Sequence, residues 1–196
     1  MTSPLVTTEW LAAHLGDQNL RIVDIRGRVE KASQPPPHYF AHRDDYNHSH
    51  LPGAVFVDWT QDIVDPASKS QDVADPERYA AFMSQIGIGD DTLVVAYDDC
   101  LGMFAARLWW TLNYYGHSQV MVLDGGWDKW VAEGRPVTDA LSQITPAHFT
   151  ARPQPALRAT AADIQQLIQS DASLIDMRSP EEFAGQASRA SRMGHI

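Results

Sequence analysis

"LVVAYDDCLGMFAARLWWTLNYYGH", residues 93–117, decides the fold. Together with Thr92 its opening makes a short apolar run, "TLVVAY" (92–97), the pattern of a strand buried on both faces. "FAARLWWTLNYYG" (104–116) then takes up a helical period and closes on Gly116, the residue type that ends helices in the left-handed conformation. A strand that passes through a loop straight into a helix is half of a parallel β-α-β unit. The loop between them holds the chain's single cysteine, Cys100, preceded by Asp98 and Asp99. Whether that thiol is a nucleophile is the functional question.

The alternation extends in both directions. "TTEWLAAHL" (7–15) reads as a short helix with Thr7 or Thr8 as its cap and Glu9 in the first turn. "LRIVDIR" (20–26) is a strand ending at Asp24, and "GAVFVDW" (53–59) is another. In "PERYAAFMSQIGI" (76–88), Pro76 stands in the first turn and Tyr79, Phe82, Met83 and Ile86 share one face. "QVMVLDGG" (119–126) is a fourth strand, followed by a short helix, "WDKWVAEG" (127–134). Apolar strands alternating with amphipathic helices predict an α/β fold: a mostly parallel sheet covered by helices on both faces.

Composition bounds the functions. At 196 residues the chain holds one full domain and a remainder. With 44% hydrophobic and 20% charged residues it has the makeup of a folded globular protein. A net charge of −10 argues against a nucleic-acid partner, which needs clustered Lys and Arg. The start, "MTSPLVTTEWLAAHLGDQ", has neither a basic leader nor an apolar run, and nothing reaches the length of a membrane span, so the expected location is cytoplasmic, without a membrane partner. One cysteine excludes an intramolecular disulfide and a cysteine-based zinc site. His38, His42, His48 and His50 lie in a polar loop without the Glu or Cys companions of a metal site, and read as solvated. No metal and no cofactor is implied.

Residues 138–156 contain three prolines and no helical period, and read as a linker between a domain at 1–137 and an incomplete second domain at 157–196. The second piece repeats the first. "LVTTEWLAAHLGDQNLRIVDIR" (5–26) aligns without a gap on "LRATAADIQQLIQSDASLIDMR" (157–178), pairing Leu5 with Leu157, Thr8 with Thr160, Asp24 with Asp176 and Arg26 with Arg178. "HSHLPGAVF" (48–56) finds an echo in "RMGHI" (192–196), which brings His50 onto His195.

These motifs carry a resemblance. "IVDIR" followed by "HLPGAVFVDW", then "VVAYDDC" leading to "LDGGWDKW", then "LIDMRSPEEFAG", is similar to the tandem-domain rhodanese family of thiosulfate and 3-mercaptopyruvate sulfurtransferases. The resemblance implies sulfane sulfur transfer from a small-molecule donor, thiosulfate or 3-mercaptopyruvate, to a thiophilic acceptor such as cyanide or a thiol. It also implies that the persulfide-forming cysteine follows the strand directly, cradled by loop N–H groups. Here that position is Asp98, and a carboxylate cannot carry the sulfur. In tandem members such a first domain is non-catalytic and the second holds the cysteine. By the repeat, that cysteine falls about 48 residues after His195, so the chain reads as C-terminally truncated and, as given, lacking the activity.

Cys100 remains as an alternative nucleophile, weakened by the two neighbouring carboxylates, which raise a thiol's pKa. A cysteine-phosphatase reading fails, because Cys100 to Arg107 encloses one residue too many and Asp99 stands where the flanking histidine belongs. Asp24 with Arg26, and Asp176 with Arg178, read as strand-end pairs that hold the Pro-Gly loop after His50. In a complete protein Arg178, Arg189 and Arg192 are candidates to bind an anionic donor, although Glu182 stands where such enzymes often carry a further arginine. The rival readings are a non-catalytic binding or regulatory module, and self-association through the exposed edge of an orphan strand, "SLIDM".

Overall fold

The computed structural model of the chain describes residues 3–31, 33–68 and 71–186. They form two compact units, one of the described residues within 3–27 and 41–154, the other of those within 28–40 and 155–186.

The first unit is built on strands β1 (Leu5–Val6), β2 (Leu20–Asp24), β5 (Ala54–Phe56), β6 (Leu93–Tyr97) and β7 (Val120–Leu123), in the order β1-β7-β6-β2-β5. Every neighbouring pair is parallel. β2 lies inside the sheet between β6 and β5, with Leu20–Asp24 in register with Leu93–Tyr97 and Ile22, Val23 and Asp24 opposite Ala54, Val55 and Phe56. A second sheet of two short strands, β3 (Gly27–Val29) and β4 (Tyr39–Ala41), leaves the first unit just beyond β2.

Strand geometry sends alternate side chains to opposite faces, and both faces are dry here. Ile22, Val95 and Tyr97 join one core cluster with Leu11 of helix α1 (Thr8–His14), Tyr46 of α2 (Arg43–His48) and Trp130 of α5 (Gly126–Ala132). The alternating set, Val23, Ile25, Val94 and Ala96, is fully buried as well. On these strands lies α4 (Met103–Tyr114), which packs against β6 and β7, and its Thr111 hydroxyl meets the Tyr79 hydroxyl of α3 (Pro76–Gln85) at 2.9 Å. Strands such as β6 and β7, apolar at every position, are the consequence of helices on both sides. Among the described residues no helix is long and apolar enough to cross a membrane.

Two stretches differ from a plain reading of the sequence. The histidine-rich segment is not uniformly solvated: residues Arg43–His48 form α2, and His50 is fully buried with its ring stacked on Tyr46 at 4.0 Å. Tyr46 is the cause, since it turns inward onto Phe56 and gives its hydroxyl to the Ala54 carbonyl. Residues 138–154 have no regular structure, yet they are pinned along the first unit. Thr138 exchanges both backbone hydrogen bonds with His50, Ala147 N–H reaches the Ser84 carbonyl, and Arg152 and Gln154 donate to the carbonyls of Tyr115 and Tyr114. Phe149 is buried against Tyr79 and His117, and Thr150 gives both its N–H and its hydroxyl to the Asp90 carboxylate.

In the second unit, α6 (Ala161–Leu167) and α7 (Pro180–Phe183) each start with a capping box, Thr160 with Asp163 and Ser179 with Glu182. Leu174, Ile175 and Met177, the counterparts of the buried Ile22, Val23 and Ile25, are 41, 78 and 88% exposed and belong to no strand.

His117 yields a test of the pinned segment. Its ring is buried beside Phe149, its Nε2 has no partner among the described residues, and burial holds its pKa below the ordinary histidine range against backbone hydrogen bonds that pull upward. The unfolded chain therefore takes up a proton below pH of about 6.5 that the folded chain refuses. Stability is expected to be undiminished by this group above that pH and to fall below it, by at most about 1.4 kcal/mol per pH unit. Urea unfolding between pH 7 and 5 measures the slope, and His117→Gln should flatten it; an unchanged slope in that variant refutes the assignment.

Candidate functional site

β6 ends at Tyr97, and the next residue turns its carboxylate back into the chain that follows. Asp98 is 2% exposed and accepts four backbone hydrogen bonds: Oδ1 from the N–H groups of Cys100 (2.9 Å) and Gly102 (2.8 Å), Oδ2 from those of Phe104 (2.7 Å) and Ala105 (2.9 Å). The donors are the loop amides and the first turn of α4, groups that have no partner within the helix. A negative charge at this place is favoured further by the helix dipole. The loop is shaped for this closure: Leu101 and Gly102 both take positive φ, 55° and 85°, and the Leu101 side chain is fully exposed at the tip.

The Gly125–Gly126 pair closes the other side. Trp127 N–H donates to the Asp98 carbonyl at 2.9 Å, and a Cβ on Gly126 would stand 2.3 Å from that oxygen. Only glycine fits at 126, where φ is +54° and the backbone of one loop lies against the other.

Beneath the loop lies a buried polar network. Arg26 Nε donates to both Asp24 oxygens (3.1 and 2.9 Å), its Nη2 reaches Oδ2 at 2.8 Å and the Ser49 carbonyl at 2.7 Å. Tyr97 gives its hydroxyl proton to Asp24 Oδ2 at 2.6 Å and accepts the Leu51 N–H. The guanidinium lies 4.1 Å over the Trp127 ring. Burial pushes the Asp24 carboxyl up from the usual carboxylate range despite the Arg26 charge beside it, and burial likewise raises Tyr97 well above an ordinary tyrosine. The set binds the end of β2 to the chain around Pro52, and His50 completes it through its Nδ1 to the Tyr46 carbonyl at 2.7 Å.

The cavity beside the Asp98 loop is acidic. Its volume is about 350 Å³, and it is lined by Asp98, Asp99, Asp124 and Asp128 together with Leu101 and Leu123. Asp99 is tied down, accepting the Gly27 N–H at 3.2 Å and facing His42 Nδ1 at 2.7 Å, and Lys129 is committed to Asp124 at 2.8 Å. Cys100 is half-buried, its N–H spent on Asp98. Among the described residues no group of three His, Cys, Asp or Glu side chains is placed to hold a metal ion.

In the second unit Arg178 grips Asp176 as Arg26 grips Asp24, with Nε at 3.0 and 2.9 Å from the two oxygens and Nη2 at 2.6 Å. This pair is solvent-accessible, whereas its counterpart is buried. Arg189, Arg192 and His195 lie outside the described residues. Sequence reasoning missed Tyr97, His42 and Gly126. A tyrosine ending a strand one residue before the loop was the available signal for the first, and the paired glycines for the last.

Comparison with known proteins gives consistent matches. The model described as the rhodanese-like domain matches residues 7–133. The chain is 31% identical over 98% of its length to the sulfur carrier protein TtuD of Thermus thermophilus, of which it covers 66%. It is 35% identical over its whole length to a probable 3-mercaptopyruvate sulfurtransferase of Pseudomonas aeruginosa, of which it covers 69%. It thus spans about two thirds of the length of such curated relatives. Among solved structures, SseA from Escherichia coli, described as having the rhodanese fold of 3-mercaptopyruvate sulfotransferases, superposes with a TM-score of 0.84 at 27% identity, covering all of this chain and 72% of that one.

The Asp98 geometry predicts the effect of the nearly isosteric Asp98→Asn. An amide has one oxygen, so two of the four N–H groups would face an NH₂ group in either orientation. The expected loss is roughly 2–4 kcal/mol of folding stability, with faster amide exchange at residues 100–105. A loss under about 0.5 kcal/mol with unchanged exchange, of the size of a neutral surface change, would refute the cradle as a stabilising element.

Proposed function

The chain belongs to the rhodanese-like family, and from that premise we propose that it is part of a tandem-domain sulfurtransferase, comprising the domain that does not carry sulfur and the opening of the domain that does. The reaction is sulfane sulfur transfer from thiosulfate or 3-mercaptopyruvate to a thiophilic acceptor. A thiolate attacks the outer sulfur of the donor, the bond from that sulfur to the rest of the donor breaks, and the enzyme holds it as a persulfide until an acceptor nucleophile removes it and the thiolate returns.

The observation that carries this reading is the occupied cradle. The amides that would stabilise a thiolate and its persulfide already bind a carboxylate, Asp98, which has no sulfur to give. Cys100 is a poor substitute, because the negative charges of Asp98 and Asp99 oppose its ionisation and would repel an anionic donor. The transferring cysteine therefore belongs to the second repeat, at a position corresponding to Asp98 and beyond residue 196. Arg178, with Arg189 and Arg192, supplies the positive charge that thiosulfate or a carboxylate-bearing donor needs.

Residues 1–196 alone are expected to give no thiosulfate:cyanide or 3-mercaptopyruvate:cyanide sulfurtransfer above the uncatalysed rate, measured as thiocyanate release, while circular dichroism reports a folded chain. The Cys100→Ser variant should behave identically. Turnover by the wild type that vanishes in Cys100→Ser would make Cys100 the nucleophile and overturn the reading.

A further inference from the structure

Arg21 stands on β2, at the end of the sheet opposite the Asp98 loop. It pairs in register with Val94 while Asp24 pairs with Tyr97, so it sits about 13 Å along the strands from the Asp98 loop. It lines a cavity of about 590 Å³, whose walls are the turn after α1, Gly87, Thr92 and the pinned segment at 142–147. Several other arginines are matched with carboxylates: Arg26 with Asp24, Arg135 with Glu9 and Glu133, Arg152 with Asp90; Arg107, whose Nε is likewise buried without a partner, gives its Nη2 to the Gln71 carbonyl. Arg21 has no such match among the described residues, and its Nε is buried without a hydrogen-bond partner.

We propose that this cavity is a binding site for a tetrahedral oxyanion of the sulfate class, with the Arg21 guanidinium as its anchor. Three observations converge. A half-buried guanidinium without a counter-charge is costly, and a bound anion removes that cost while giving Nε its partner. Burial already lowers the pKa of this arginine, which is the response of a cation lacking its anion. The guanidinium is held in the cavity wall by Gly87, which lets it lie against the backbone: a Cβ there would stand 2.5 Å from Nη2 and 2.9 Å from the Thr145 carbonyl. Gln143 and Thr145 on the opposite wall are exposed and polar, able to donate to the remaining oxygens. Asp17 is the one carboxylate of the lining, and it is solvent-exposed and so screened. The site is independent of the sulfur chemistry proposed above.

The test is a titration of the 196-residue chain with sodium sulfate, followed in ¹H–¹⁵N spectra at the arginine Nε resonances, against sodium chloride at matched ionic strength. One resonance, absent in Arg21→Lys, is expected to shift saturably with a midpoint on the order of millimolar. Phosphate should reproduce the shift and acetate should not. Arg21→Lys keeps the charge but loses the fork, and should bind roughly tenfold more weakly by sulfate-dependent thermal unfolding. A shift that never saturates, that chloride or acetate matches, or that moves other arginines and leaves Arg21 still overturns the site. The wild-type titration decides this even if the variant does not fold.

Discussion

Four backbone N–H groups converging on one carboxylate are the constraint from which the loop end of this domain follows. The amides of a tight loop and of a helix's first turn all point into the space after β6, and without an acceptor there each would be a buried donor with nothing to bond. Asp98 meets them from its own backbone. Because the acceptor is covalently attached, the place that a ligand or a thiolate would take is already filled, and the cradle is a structural element. The same closure explains Gly126: once the Asp98 backbone is held, its carbonyl lies where any side chain at 126 would fall.

The Asp24–Arg26–Tyr97 network performs the corresponding task one strand over. It places a charge pair at the end of an interior strand, where both faces of the sheet are covered, and joins three segments distant in sequence: β2, the chain around Leu51, and the end of β6. A buried ion pair gives little net stability compared with an apolar replacement, but removing one partner is severe, so such a pair specifies geometry more than it adds free energy. In the second unit the pair Asp176–Arg178 has the same bidentate form in solvent. The fork between residues two apart is therefore a local property of the Asp-x-Arg sequence. Burial by strands and helices turns it into a fixed anchor in the first unit.

What could be read in the sequence was what local period and covalent order determine. β2, β6, β7, α1, α3 and α4 were visible as runs of the right period and length, and the parallel α/β class followed from their alternation. β1, of two residues, was too short to show a period and exists only because β7 offers it an edge. α2 was hidden because five of its six residues are polar and only Tyr46 turns inward, which leaves no apolar stripe. The Asp98 position was legible through the strand–loop–helix order, but its four bonds were not, since they depend on loop dihedrals that no residue pattern announces apart from Gly102. The cavity at Arg21 was wholly illegible: an arginine inside an apolar strand looks like any edge polar residue until the pinned segment, distant in sequence, closes over it.

The two ends of the sheet differ in the charge they present, and this bears on the proposal that the Asp98 loop does not carry sulfur. At the end where the strands finish, Asp99, Asp124 and Asp128 line the cavity beside Asp98, and Lys129 is already paired with Asp124. An anionic sulfur donor approaching there would lose its hydration and meet like charge, and a thiolate formed at Cys100 would do the same. Substituting one residue would not reverse this, because the neighbouring carboxylates are fixed: Asp99 by Gly27 and His42, Asp124 by Lys129. Electrostatics thus reinforces the covalent fact that position 98 carries oxygen instead of sulfur. On the proposed reading, the repeat that handles anions needs both the cysteine and a different surrounding set of charges.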